Sequence, residues 1–151
     1  MSKQVLKKIP NFNAYEIVNR FAMFEELTPE DKRLISNNQN IFYFIPNEDE
    51  FIIEGDIESC VYLLLSGSAR VKHHHINYDE LKPGDIVGIN GFIHDIPRTA
   101  SVIATADILA IKYSRFQFKK LPPHVREIIK DHMLEELSKR IDRLNMELHP
   151  E

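Results

Sequence analysis

A chain of 151 residues, 43% hydrophobic and 28% charged, is sized for one soluble globular domain with a real core. Its 23 acidic and 19 basic residues leave it mildly negative, so nothing in the overall charge points to nucleic acid or a membrane surface. The single cysteine, Cys60, excludes an intrachain disulfide framework, no apolar run is long enough to span a bilayer, and no apolar stretch follows Lys3, Lys7 and Lys8 as in an export signal, so a cytoplasmic protein is expected.

In chain order, Asn13 with Glu16 forms a cap, and Ile17, Phe21 and Phe24 then recur at helical spacing. Thr28-Pro29-Glu30-Asp31 opens a second short helix with Leu34 and Ile35 as its buried residues. From about Asn40 to Tyr113, short β-branched and aromatic segments are cut by turn residues every ten or so positions. Strands are expected at Ile41–Phe44, Phe51–Ile53, Val61–Leu65, Ala69–Ile76 in a hairpin with Tyr78–Leu81, Ser101–Ala104 and Ile108–Tyr113. No long helix intervenes, which predicts an antiparallel sandwich or small barrel. After Pro122-Pro123, Val125, Ile129, Met133, Leu137, Ile141, Leu144 and Leu148 recur at steps of three or four, an apolar stripe about 35 Å long. The expected division is a helical segment over 1–39, a β-roll over 40–121 and a dimerisation helix over 122–151.

Between the hairpin and the last two strands lies the stretch richest in chemistry. Pro83-Gly84-Asp85 makes a turn, Ile86-Val87 a short strand, and Gly88-Ile89-Asn90-Gly91-Phe92 leads to Pro97-Arg98-Thr99-Ala100. Backbone N–H groups of a glycine-started turn, with one guanidinium, can hold a phosphate. The competing use of Arg98 is an ion pair with Asp95 or Asp85, and of Ile89 and Phe92 a place in the core.

With Gly55-Asp56, Tyr62 and Ser66-Gly67 upstream in the same order, the chain from about Phe21 to Leu148 resembles a cyclic nucleotide-binding domain of the bacterial catabolite-activator type. The resemblance implies a mainly β fold, a double-stranded β-helix or jelly roll, with N-terminal helices and a long C-terminal helix. It implies a phosphate cassette of Gly88, Asn90, Gly91, Arg98 and Thr99 for a cyclic nucleotide, cAMP or cGMP. Family members with a working site carry a glutamate where Ile89 stands, and that acid accepts from the ribose 2′-OH. Isoleucine leaves this hydroxyl without an acceptor, a loss of about 1–3 kcal/mol, or roughly 5- to 150-fold in affinity. Related regulators pair the terminal helix with its twin and close it over the ligand. This implies a parallel homodimer through Val125, Met133, Leu137, Ile141 and Leu144, with Arg140 and Arg143 as lid candidates.

A second candidate for chemistry is the run His73-His74-His75. His73 and His75 share a strand face, and with Glu80 they match the spacing of the first metal motif of cupins, which would suit a transition metal. The second cupin motif is missing, for only His94 follows within the roll. Cys60, with no spaced histidine partner, reads as a small buried residue. No enzymatic activity, resident cofactor or membrane contact is expected, and the balanced charge of the terminal helix argues against direct DNA reading. The expected function is a regulatory sensor module that takes a cyclic nucleotide or other phosphate at Arg98 and answers to a protein partner through its terminal helix. The alternatives are a degenerate domain that binds no nucleotide and serves as a dimerisation and interaction module, and a cupin-like metalloenzyme.

Overall fold

The computed structural model describes residues 13–73 and 76–148. Helix α1 (Ala14–Arg20) begins where the Asn13 side chain accepts the Glu16 N–H at 3.1 Å. It stops at Phe21, whose backbone is extended, so Phe21 and Phe24 enter the core from a following 3-10 turn rather than from the helix. Their rings meet edge to face at 5.2 Å. Helix α2 (Pro29–Asn37) starts with a reciprocal capping box between Thr28 and Asp31. Of the two residues expected to be buried in it, only Ile35 is; Leu34 is 50% exposed. Neighbouring helical residues point about 100° apart, and α2 buries one face only.

Eight strands follow: β1 (Phe42–Ile45), β2 (Glu50–Ile52), β3 (Cys60–Ser66), β4 (Ala69–His73), β5 (Ile76–Leu81), β6 (Ile86–Val87), β7 (Ser101–Ala104) and β8 (Ile108–Ser114). They form two antiparallel four-stranded sheets, ordered β1-β8-β3-β6 and β2-β7-β4-β5. This is a jelly roll with flanking helices. The β4–β5 pairing ends at His73 opposite Ile76, so β5 begins two residues before the expected Tyr78.

Strand β3 lies between two apolar layers, which explains why its sequence is continuously hydrophobic instead of alternating. Val61 and Leu63 join the layer between sheet and helices, while Cys60, Tyr62 and Leu64 face the interior of the roll. Between β6 and β7 the short helix α3 (Ile89–His94) crosses the end of the roll. Helix α4 (Arg115–Lys119) follows β8, opened by a second capping box in which Ser114 and Gln117 satisfy each other's backbone N–H.

The last helix, α5 (Pro123–Leu148), divides in two. Val125, Ile129 and Met133 are buried in the chain's own helix layer, with Leu137 packed against it. Beyond them Leu134, Ile141, Leu144 and Leu148 are exposed. Glu136 of α5 hydrogen-bonds the Asp85 carboxylate at the corner before β6; burial, then the like charge and hydrogen bond of Asp85, raise Glu136 above the ordinary glutamate range. The folded protein therefore holds this proton more tightly than the unfolded chain. The contact costs stability as pH climbs above the ordinary glutamate value, and acid relieves it. Glu136→Gln is expected to raise stability near neutral pH by at most about 0.5 kcal/mol after solvent screening, and to change nothing in acid. Thermal melts at the two pH values check this; an equal effect at both would remove the shared proton from the account.

Candidate functional site

The stretch singled out by sequence lies where α3 meets β3. Gly88 caps α3 in the left-handed conformation, φ 89°, which side-chain-bearing residues rarely adopt. Ile89 follows into the helix layer and is 1% exposed; Phe92 packs in the same layer and meets Phe118 edge to face at 5.3 Å. Position 89 thus presents no side chain at the mouth of the cassette. Asn90 and Thr99 are exposed, whereas Gly91 is buried.

Arg98 turns inward, and the whole residue is 6% exposed. Its backbone is stitched to the turn before β3: Arg98 N–H donates to the Asp56 carbonyl at 2.7 Å, and its own carbonyl accepts from Gly55 N–H at 2.8 Å. The guanidinium then passes between α3 and β3. Nη1 donates to the Gly88 carbonyl and Nη2 to the Cys60 carbonyl, both at 2.9 Å. Cys60 Sγ lies 3.6 Å from the same Nη2.

The acid beside Arg98 is neither of the two considered from sequence. Asp95 pairs with Arg115 at 3.2 Å and accepts the Ser59 hydroxyl; Asp85 accepts the Lys82 N–H at 2.9 Å. Instead, Glu58 brings one carboxylate oxygen to 3.8 Å from Arg98 Nη2 and the other to 3.1 Å from Lys112 Nζ. Burial, with the Glu58 charge, pushes the Cys60 thiol up to about 11, so Cys60 remains a neutral thiol at physiological pH.

The two cassette glycines make room for this arrangement. A Cβ on Gly88 would lie 2.8 Å from Arg98 Nη1, and one on Gly91 would overlap the same nitrogen and sit 2.9 Å from Cζ. Both positions exclude any side chain while the guanidinium is turned in. Sequence reading missed Glu58 altogether. A local signal existed, since Glu58 is the one carboxylate between the Gly55-Asp56 turn and the buried strand β3, but nothing in its spacing pointed to Arg98.

The remaining candidates lie apart. His73 Nδ1 is 2.7 Å from the Thr99 carbonyl and 3.6 Å from Glu54. Glu80 stands opposite Arg70 in the β4–β5 register, three residues along β4 from His73, and His75 falls outside the described residues. No group of three metal-ligating side chains occurs among the described residues. Arg143 donates to the Asp79 carboxylate on β5, and Arg140 places its charge near Glu136.

An eight-stranded jelly roll carrying a glycine-opened helix and an inward arginine between its sixth and seventh strands defines the class of β-roll domains built around such a cassette. The family model of the cyclic nucleotide-binding domain matches residues 44–122, just over half of the chain. The chain belongs to this family. It is 34% identical over 99 residues to a cAMP-dependent protein kinase regulatory subunit from Hypocrea atroviridis, an alignment covering 66% of the chain and 21% of that protein. The chain thus spans about a fifth of this much longer relative. In fold it is similar to a cyclic nucleotide-binding domain from Methylobacillus flagellatus KT, with TM-score 0.69 and 23% identity, covering 90% of this chain and 80% of that one. It is likewise similar to the catabolite activator protein of Thermus thermophilus, with TM-score 0.68 and 23% identity over 83% and 61% of the two chains.

Proposed function

We propose that this chain is a non-catalytic regulatory module of its family, cytoplasmic, whose cassette is held shut by the protein's own groups and whose output leaves through α5. The observation that carries this reading is the occupancy of Arg98. Its Nη1 and Nη2 serve the Gly88 and Cys60 carbonyls, and the Glu58 carboxylate supplies the negative charge that a phosphate would bring. A cyclic nucleotide must displace Glu58 and still finds no acid on the buried side chain at position 89.

Calorimetric titration with cAMP and with cGMP tests the reading. No saturable heat is expected up to about 1 mM ligand, a free energy of roughly −4 kcal/mol. Micromolar binding by the unaltered chain would overturn it. One observation favours a second reading: Arg98 Nε–H is buried and has no acceptor among the described residues. A phosphate oxygen would satisfy it. On that reading Glu58 is a gate, and Glu58→Gln converts weak or absent binding into saturable binding.

The response element is proposed to be a homodimer through the distal half of α5. Val125 and Met133, expected in the seam, are already buried in the chain's own core and cannot serve it. Leu134, Leu137, Ile141, Leu144 and Leu148 follow one another at alternating steps of three and four, the spacing of a two-helix seam; Leu137 is partly buried against the chain's own layer and the other four are exposed. Ile141→Asp is expected to weaken the dimer at least about 100-fold without unfolding the protomer, because Ile141 is 58% exposed. Sedimentation of both forms checks it; an unaltered chain that stays monomeric at high concentration would sink the dimer.

A further inference from the structure

Away from the cassette, a half-open cavity of about 670 Å³ lies between α2, β1, β8 and α4. Its volume falls in the range of small-molecule sites. Two large apolar side chains among its lining residues are left in solvent, Leu34 and Phe116, the latter 68% exposed. Tyr43 adds aromatic surface, while Tyr113 is 1% exposed and belongs to the core. The Tyr113 hydroxyl is buried without a hydrogen-bond partner among the described residues. Desolvation there holds its pKa far above the ordinary tyrosine value, so it remains a donor.

The charge of the lining is one-sided. Lys112 and Lys120 line the cavity and no aspartate or glutamate does. Lys112 Nζ sits 5.0 Å from the centre of the Tyr43 ring and shares its charge with Glu58. Lys120 Nζ lies 4.2 Å over the Phe116 ring and has no ion pair among the described residues. Leu34, Phe116 and Tyr43 supply apolar surface, Asn38, Asn40, Ser114 and Gln117 a polar share, and Lys120 a cation with no ion pair among the described residues, a combination that favours a molecule with an apolar body and a negative head. A cationic amphiphile would meet like charge at the mouth.

We propose that this cavity is a second ligand site, taking a carboxylate with an apolar body, the head at Lys120 and the body against Leu34, Phe116 and Tyr43. It shares no lining residue with Arg98 or α3, and its link to the cassette is Lys112, which pairs with Glu58 beside Arg98.

The test is calorimetric titration of the whole chain with sodium decanoate, and separately with sodium 2-naphthoate to distinguish alkyl from aryl bodies. Decylamine is the control for charge. At least one of the two acids is expected to bind at a single saturable site, at least about tenfold more tightly than decylamine. Lys120→Glu and Phe116→Ser are each expected to weaken that binding about tenfold. Both side chains are on the surface, and unchanged thermal melts would establish that the variants fold. No saturable binding of either acid, equal binding of decylamine, or binding indifferent to both substitutions would each overturn the proposal.

Discussion

Arg98→Ala is expected to destabilise the ligand-free domain by about 3 kcal/mol, the low end of what breaking a buried pair costs. The arginine side chain is 4% exposed and its partner Glu58 22% exposed. Truncation removes the guanidinium donors from the Gly88 and Cys60 carbonyls, leaving Gly88 with the Phe92 N–H, and takes the arginine charge from beside Glu58, which keeps its pair with Lys112. It also opens a void against Gly88 and Gly91, where no side chain can move in from the glycines. Urea unfolding measures the loss, and a fall in Tm of roughly 6–12 °C accompanies it at this chain length. Arg98→Lys is expected to recover less than half, because one ammonium cannot reproduce a planar fork bonded to two carbonyls on different elements. An arginine kept only to greet a ligand would behave differently: its removal would leave the unliganded protein within about 0.5 kcal/mol of the original. That outcome would return Arg98 to the ligand and withdraw the closed cassette.

The contrast between these outcomes shows what the sequence made legible. Turn glycines, capping residues and alternating apolar segments are local signals, so the strands of the roll, the starts of α1 and α2, and α5 could be placed to within a few residues, whereas the end of α1 at Phe21 could not. Helix α4 was missed although Ser114-Arg115-Phe116-Gln117 has the form of a capping box, because the stretch between Tyr113 and Pro122 was assigned no element. The interior of the site was less accessible. Arg98 and Glu58 are forty residues apart in sequence, and they meet only because Arg98 bonds its backbone to Asp56 at the turn leading into β3. Spacing along the chain carries no such information. The stripe on α5 had a similar ambiguity: one periodicity serves both the helix layer and a partner helix. Only burial separates Val125, Ile129 and Met133 from Ile141, Leu144 and Leu148.

Ile89→Glu carries the second large effect and decides whether the ribose-reading half of the cassette can be restored. From sequence alone the substitution promises a gain, since it returns the acid found in family members with a working site. The packing predicts the opposite. Ile89 is 1% exposed among the apolar residues beneath α3, so a carboxylate there loses an isoleucine's burial and finds no described partner. The two costs together are expected to exceed about 4 kcal/mol, a large share of the total stability of a domain this size. The buried acid would take a raised pKa. Its folded form therefore binds a proton more tightly than the unfolded chain, and the deficit against the unaltered protein should narrow as pH falls from about 8 to about 5. Asn90→Glu is the matched control: the neighbouring residue is exposed, and an acid in the first turn of α3 is expected to change stability by less than about 0.5 kcal/mol. Denaturant melts of both variants across that pH range measure the difference. If Ile89→Glu folds with little loss and gains saturable binding of cAMP, α3 can rotate to bring residue 89 to the cassette mouth. The closed cassette would then be one of two states, with Glu58 and the nucleotide phosphate competing for Arg98.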